Sequence, residues 1–440
     1  MSTQVAMPAQ QPRDWDYLIQ PDRVHRSVYT DPSFFDEEMR KIFGGVWTYL
    51  CHDSELPKTN SFKRVRMGLR PLIVTRDSAG KFHGLFNRCS HRAATVCQEA
   101  SGTAKRFTCS FHGWTYTNDG KLLGVPYAKG YGDGLNKDEL GLKKIPRIEV
   151  YRGFIFGTLN PDMPSLDEYL GPAKEYLDEF IDRSPDGELI VQSGAYRGLY
   201  RGNWKICWDN AADGYHPAFG HRSLFEMTRK RSGGEKGNKA FDADPDDSPM
   251  FCKTFPHGHG LLYQRPGLGN SLWQAVRPTP GGELLASSLV DKIGENAAFE
   301  ALEGAPGAGI NLNIFPNLMI IGNQIQVVEP LAHGETQLTW HATTLKGAPD
   351  EVNRLRMRIA EDFPNFGEVD DMESFERCWE GMQAPEAEWV MMHRGMHRSS
   401  EDVRGEDGID TVPITDEAPM RNYLSIYREI MEQETSLVVD

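Results

Sequence analysis

Two short loops constrain this chain more than anything else in it. One reads Cys89-Ser-His91. The other, seventeen residues later, reads Cys109-Ser-Phe-His112, with Gly113 and Trp114 directly behind it. Each loop offers one thiolate and one imidazole, in the same order. Both are flanked by strand-like runs, "RPLIVTRDSAGKFHGLFNRC" turning at Ser78-Ala79-Gly80 and "FTCSFHGWTYTNDGKLLGVP" turning at Asn118-Asp119-Gly120, the second a strong hairpin signal. A metal gripped between two hairpin tips has two chemistries open to it. Two thiolates and two neutral imidazoles hold zinc, or they hold a [2Fe–2S] centre of Rieske type, with the cysteines on one iron and the histidines on the other. Zinc ligands more often come as Cys-x2-Cys or His-x3–5-His, so paired Cys–His loops favour iron–sulfur. Cys97 lies between the loops, belongs to neither pair, and is read as packing.

Composition narrows the setting. Seven cysteines, an odd number, are scattered over 440 residues, which is not a secreted disulfide framework and points to a reducing compartment. The net charge of −15 argues against nucleic acid or an anionic membrane as partner. No apolar run approaches the ~18 residues of a membrane helix, and the first residues lack the charged and apolar regions of a secretory signal. The expectation is a cytoplasmic protein with neither a nucleic-acid nor a membrane partner.

Along the chain, residues 31–47 predict a helix capped by Asp31, with Pro32 in its first turn and Gly44-Gly45 at its end. A small β-rich domain follows. Residues 232–250 are polar and rich in Gly, Asp and Pro, reading as a loop or lid. Residues 311–345 predict two or three antiparallel strands. Next comes a helix with Val352, Leu355 and Ile359 at helical spacing, then a last helix with Met372, Phe375, Trp379 and Met382 on one side. Both stripes are read as core. The expected class is α+β, with an N-terminal segment over 1–46, a metal-binding β domain over 47–160 and a larger domain over 161–440.

The second chemical stretch is "NWKICWDNAADGYHPAFGH" (203–221). His216 and His221, five apart, do not share a face of a regular helix, but Pro217 between them can bend the chain and bring both imidazoles to one metal. Asp213, three before His216, can take the ring N–H of a metal-bound histidine. Non-haem iron(II) oxygenases use two histidines and one carboxylate with positions left open. From spacing alone the carboxylate is any of 63 acidic residues. His257/His259 and His393/His397 are weaker candidates.

Together, "CSH…CSFHGWTY", "NWKICWDNAADGYHPAFGH" and "NIFPNLMIIGNQIQVVEPL" resemble the large (α) subunits of Rieske non-haem iron ring-hydroxylating oxygenases, a likeness running from about Tyr29 to Trp389. It implies a Rieske domain inserted into a larger catalytic domain, whose curved antiparallel sheet wraps a long helix in a helix-grip arrangement. It implies one [2Fe–2S] cluster on Cys89, His91, Cys109 and His112, and one mononuclear Fe2+ on His216, His221 and a carboxylate of "FGEVDDMESF". By matching, that carboxylate is Asp371, with Asp370 as the alternative. It further implies electrons from an NAD(P)H-dependent reductase, with or without a ferredoxin, passing between subunits through Asp213, which joins His216 to the partner subunit's His112. The iron activates O2, and an aromatic ring is hydroxylated, usually to a cis-dihydrodiol, single hydroxylation or demethylation being the alternative. Asn210 matches a polar residue near the iron. Asn210, Ala211, Pro217, Asn311 and Ile321 are expected to line the substrate pocket, with Gly367 standing where some members carry a bulky aromatic. The resemblance implies a small β subunit in an α3β3 assembly, or an α3 homotrimer.

Overall fold

Asp77 organises the first hairpin turn. Its side chain accepts hydrogen bonds from the amides of Ala79 at 2.8 Å and Lys81 at 2.9 Å, and Gly80 takes the left-handed conformation, φ +84°, that a residue without Cβ adopts at no cost. The turn at Gly120 is built the same way, with φ +89°. The structure, a computed structural model, describes residues 3–4, 13–192, 194–231, 247–264, 282–304, 309–399, 403–405, 409–435 and 437–439. Most of the loop expected over 232–250 lies outside the described residues. The chain divides into two compact units, one built chiefly on Glu37–Glu168, the other on Arg13–Asp36 and Tyr169–Glu432.

The predicted first helix is shorter than its sequence pattern. Helix α1 spans Pro32–Lys41, and the chain turns from Ile42, ahead of Gly44 and Gly45. Residues 48–158 of the smaller unit then form three antiparallel sheets. Strand β1 (Thr48–His52) pairs with β10 (Phe154–Thr158), which pairs with β9 (Arg147–Tyr151). Strands β2 (Ser61–Met67), β3 (Arg70–Arg76), β4 (Phe82–Phe86) and β5 (Ser101–Thr103) lie in the order β4-β3-β2-β5. Strands β6 (Arg106–Thr108), β7 (Thr115–Thr117) and β8 (Leu122–Gly124) make the third sheet. Cys89, Cys97, Cys109, Trp114 and Tyr116 are buried in one apolar cluster with Ile73 and Leu85.

The larger unit is a nine-stranded antiparallel sheet. Its strands are β11 (Leu189–Val191), β12 (Tyr196–Tyr200), β13 (Phe251–Thr254), β14 (Gly260–Tyr263), β15 (Ile310–Ile314), β16 (Leu318–Ile321), β17 (Gln324–Ala332), β18 (Glu335–Leu345) and β19 (Asp410–Pro413). They run in the order β11-β18-β17-β16-β15-β14-β13-β19, with β12 also on β18. Register makes the two faces unlike. Leu261, Leu312, Ile320 and Ile325 are cross-strand partners, all fully buried, each worth about 1.5–3 kcal/mol of burial. One residue along, Leu262, Asn311 and Ile321 form a row on the other face, as do Asn313, Met319 and Gln326.

Helices α2 (Trp204–Ala211), α3 (Pro217–Gly220), α4 (Arg222–Arg231), α5 (Asp350–Phe366), α6 (Glu368–Gly381) and α7 (Ala418–Glu432) complete the part that concerns the site. The long α5 is tied to the sheet through Arg356, buried and donating to the Thr343 carbonyl and hydroxyl at 3.1 and 2.7 Å. Of its predicted stripe, Val352 and Leu355 are buried and Ile359 half-buried.

His259 is a structural residue. Its Nε2 donates to the Tyr169 carbonyl at 2.9 Å, and its Nδ1 accepts from the Phe315 amide at 3.1 Å. Burial holds its pKa down at about 3. The unfolded chain, with an ordinary histidine near 6.5, therefore binds more protons between those values. Stability is intact above pH 6.5 and falls as pH drops, by up to about 1.4 kcal/mol per unit from this residue. Urea midpoints measured from pH 7 to 4 fall less steeply in His259→Gln than in the parent.

Candidate functional site

The two Cys–His loops are the same device used twice. The Cys89 amide donates to the Ala94 carbonyl at 2.8 Å, and the Ala93 amide returns to the Cys89 carbonyl at 3.0 Å. The Cys109 amide donates to the Trp114 carbonyl at 2.8 Å, and the Gly113 amide returns to the Cys109 carbonyl at 2.9 Å. Each tip closes over its fifth residue, and that residue is left-handed in both: Ala93 at φ +63° and Gly113 at φ +70°. The rings of His91 and His112 meet edge to face at 4.5 Å, and His91 stacks on Trp114 at 4.9 Å with planes 7° apart. Trp114, two residues after His112, thus sets the tilt of the other loop's imidazole, 23 residues before it in sequence. The Tyr116 hydroxyl accepts from the Ser90 amide at 3.1 Å and lies 3.1 Å from Cys89 Sγ.

These four residues fit a two-iron group better than one zinc. His91 Nδ1 is buried with no hydrogen-bond partner, the state of a nitrogen aimed at a metal. Tetrahedral zinc, with bonds of about 2.0–2.3 Å, needs its ligand atoms about 3.3–3.8 Å apart. Among the described residues, the His, Cys, Asp and Glu side chains that gather three ligand atoms within 4.8 Å of one another are His216, His221 and Asp371. Cys89, His91, Cys109 and His112 are spread more widely, as ligands divided between two irons are.

The second set sits in the larger unit. Helix α2 ends at Ala211, and the chain turns through Asp213 to His216, the residue before Pro217 opens α3; His221 closes that helix. Asp371 comes from the first turn of α6. His216 Nε2 and His221 Nε2 are 3.3 Å apart, and Asp371 Oδ1 is 3.5 and 3.4 Å from them. This near-equilateral triangle has the edges of one coordination face, about 3–3.6 Å for bonds near 2.1 Å. Two nitrogens and one oxygen around open positions suit iron(II). Burial pushes Asp371 above the ordinary carboxylate range, against the pull of both imidazoles and the Asn210 amide; a carboxylate so withheld from water gains from a cation. Asp213 Oδ2 lies 3.2 Å from His216 Nδ1. Burial lowers the pKa of His216, but Asp213 and Asp371 outweigh it and leave it raised.

The triangle opens onto a cavity of about 250 Å3. Asn210, Ala211, Pro217, Asn311 and Ile321, named from sequence, all line it, as does Asp213. Sequence reasoning missed Glu368, Gln326, Met319, Phe363 and Phe375. Glu368 had a signal, since it stands three before Asp371 on one helix. Gln326 and Met319 had one only in the register, which puts them on the cavity face. Phe375 was read as core; it packs on Tyr200 at 5.1 Å and also borders the cavity. Gly367 is met by Phe363, whose ring would stand 2.9 Å from a Cβ there and which itself lines the cavity. The other candidate histidines gather no ligand set among the described residues: His257 packs on Tyr169, and His393 and His397 are exposed.

Comparison with known proteins agrees with this geometry. A family model described as "Ring hydroxylating alpha subunit (catalytic domain)" matches residues 166–433, and one described as "Rieske [2Fe-2S] domain" matches 46–146. The chain is 35% identical to the large subunit of anthranilate 1,2-dioxygenase from Acinetobacter baylyi, over 86% of this chain and 81% of that protein. It is 36% identical to toluate 1,2-dioxygenase subunit alpha from Pseudomonas putida, over 83% and 82%. A solved naphthalene 1,2-dioxygenase with indole in its active site superposes with a TM-score of 0.79 at 25% identity, covering 96% of each chain.

Proposed function

The chain belongs to the α subunits of the Rieske ring-hydroxylating oxygenases, and from that premise we propose that it adds both atoms of O2 to a one- or two-ring aromatic substrate, giving a cis-dihydrodiol. It is an oxidoreductase, the terminal oxygenase that carries a Rieske [2Fe–2S] cluster and a mononuclear iron. The observation that carries the reading is the triangle of His216, His221 and Asp371 at 3.3–3.5 Å, facing a cavity. In this proposal Cys89, His91, Cys109 and His112 hold the cluster, and the triangle holds the iron. When bound, these groups supply the electron storage and the oxygen chemistry.

The protein's own part is seating and orientation. Leu224, Phe225, Met319, Ile321, Phe363 and Phe375 give the cavity apolar walls. Its volume lies below the roughly 300–1,000 Å3 common for ligand pockets, which suits a small ring. Asp213 keeps the Nδ1 proton of His216 in place and presents a carboxylate to the partner subunit's cluster histidine. The curated relatives are named for anthranilate and toluate, so aromatic carboxylates head the substrate screen. The chain functions with an NAD(P)H-dependent reductase, with or without a ferredoxin, and either with a small β subunit as α3β3 or as an α3 trimer. We keep the sequence division at 1–46, 47–160 and 161–440, and a cytoplasmic setting. In support of the latter, no helix among the described residues is long and apolar enough to cross a membrane.

The test is turnover under 18O2 with a reducing system and a panel of benzoates, anilines and fused aromatics. A diol carrying two labels from one O2 molecule is expected. A singly labelled phenol or a dealkylated product from every substrate turned over would overturn the dioxygenase reading.

A further inference from the structure

Both imidazoles of the mononuclear site present Nε2 to the triangle. A neutral imidazole that gives the lone pair of Nε2 to a metal carries its proton on Nδ1, and that N–H needs an acceptor. His216 has Asp213 beside its Nδ1 at 3.2 Å. His221 is the more buried of the two, its side chain 8% exposed; both Nδ1 atoms are buried without a well-formed hydrogen bond, and the carboxylate nearest to that of His221 stands further off, at 3.7 Å. A buried donor left in that state costs about 1–3 kcal/mol, and it leaves the ring free to rotate out of the ligating plane.

The fold places a carboxylate there. Asp370 and Asp371 are consecutive in the first turn of α6, so their side chains leave the helix about 100° apart. Asp371 turns into the triangle. Asp370 turns to the back of His221, with Oδ2 3.7 Å from Nδ1. The same oxygen takes the hydroxyl of Ser223 at 3.4 Å. Ser223 lies two residues after His221, so the short α3–α4 junction supplies both groups that Asp370 meets. A shift of under 1 Å brings the carboxylate to hydrogen-bond distance from Nδ1.

Resting on the reading of His216, His221 and Asp371 as the iron site, we infer that Asp370 is a positioning residue for His221. It is the counterpart of Asp213 on His216, fixing the tautomer and the plane of the second histidine. The pair of aspartates then divides its work between two different jobs, one inside the cation's coordination face and one behind it. Asp370 touches neither iron nor substrate, and its effect falls on how tightly the metal is held.

The experiment measures Fe(II) binding anaerobically by equilibrium dialysis, on enzyme stripped of mononuclear iron with its cluster intact. Asp370→Ala is expected to weaken Fe(II) binding about 10–100-fold, the usual cost of losing such a partner. The visible spectrum of the cluster stays unchanged. Asp370→Asn, whose carbonyl oxygen still accepts the Nδ1 proton, binds Fe(II) more tightly than Asp370→Ala; a role of charge or surface alone would leave the two equal. Asp371→Ala is the control for the underlying reading and is expected to lose Fe(II) binding altogether. Wild-type affinity in Asp370→Ala, or equal loss in the Ala and Asn variants, overturns the positioning role while Asp371→Ala still upholds the site. Retained binding in Asp371→Ala with complete loss in Asp370→Ala overturns the ligand reading itself.

Discussion

Asp371→Ala is expected to abolish turnover and to remove the mononuclear iron, leaving the cluster spectrum untouched. Asp371 is 6% exposed and supplies the one oxygen of the triangle, within 3.5 Å of both Nε2 atoms. Without it two imidazoles face a void, and the triangle has lost its own carboxylate, the group that balances a dication's charge at the ligand face. A bound metal supplies several kcal/mol of charge stabilisation; at 1.36 kcal/mol per decade, the loss in rate is about 10³-fold or more. Iron analysis settles it. The parent is expected to hold about three irons per chain, two in the cluster and one in the triangle, and the variant about two. The variant's cluster EPR signal after reduction matches that of the parent. Three irons in Asp371→Ala would remove this residue from the site.

Asp213→Ala has the second-largest effect and a different signature. Asp213 is not in the triangle. Its carboxylate sits 3.2 Å from the far nitrogen of His216, and its other oxygen accepts from the Tyr215 amide at 2.6 Å. That backbone bond holds the carboxylate against the imidazole whether or not a partner subunit is docked. Both metals are expected to stay in the variant when Fe(II) is supplied in excess, with turnover down about 100-fold. Rapid-mixing measurement locates the defect, since the cluster in the variant reduces at the parent's rate but reoxidises slowly with substrate and O2 present. Reoxidation at the parental rate would mean that Asp213 merely orients His216 and carries no coupling between centres.

The parts of this molecule that could be read from sequence are those whose partners lie close along the chain. Cys89 with His91, and Cys109 with His112, fall within a four-residue tip, and a five-residue hydrogen-bonded loop brings each pair together without help from distant strands. His216 and His221 are joined by a single turn of helix opened by Pro217. Asp371 is 150 residues further on, and spacing could not choose it among the acidic residues; a family motif did. The contact of Gln326 with Glu368 was invisible because it depends on the pairing of β16 with β17 and on where α6 begins, with Gln326 Nε2 donating to Glu368 at 2.8 Å. The first helix was overextended for a local reason, since the turn at Ile42 carries no strong breaker and Gly44-Gly45 drew the boundary too late. Of the late apolar stripe, read as core, Phe375 is buried while Met372, Trp379 and Met382 are half-buried, Trp379 lying against His333 at 5.4 Å. The stripe was read too narrowly for Phe375, where one ring serves the core and the cavity wall at once.

The pairing of β1 with β10 has a use beyond holding the smaller unit shut. Phe154 lies opposite His52 and Gly157 opposite Thr48, so the stretch between these two strands, which carries both Cys–His loops, leaves and returns side by side. Its two ends are neighbours, as they are in domains that tolerate transplantation. An electron-transfer cassette from a relative can therefore be spliced in across two junctions a strand's width apart. Tuning a redox partner and tuning a substrate pocket then become separate engineering problems, solved on separate pieces of one gene.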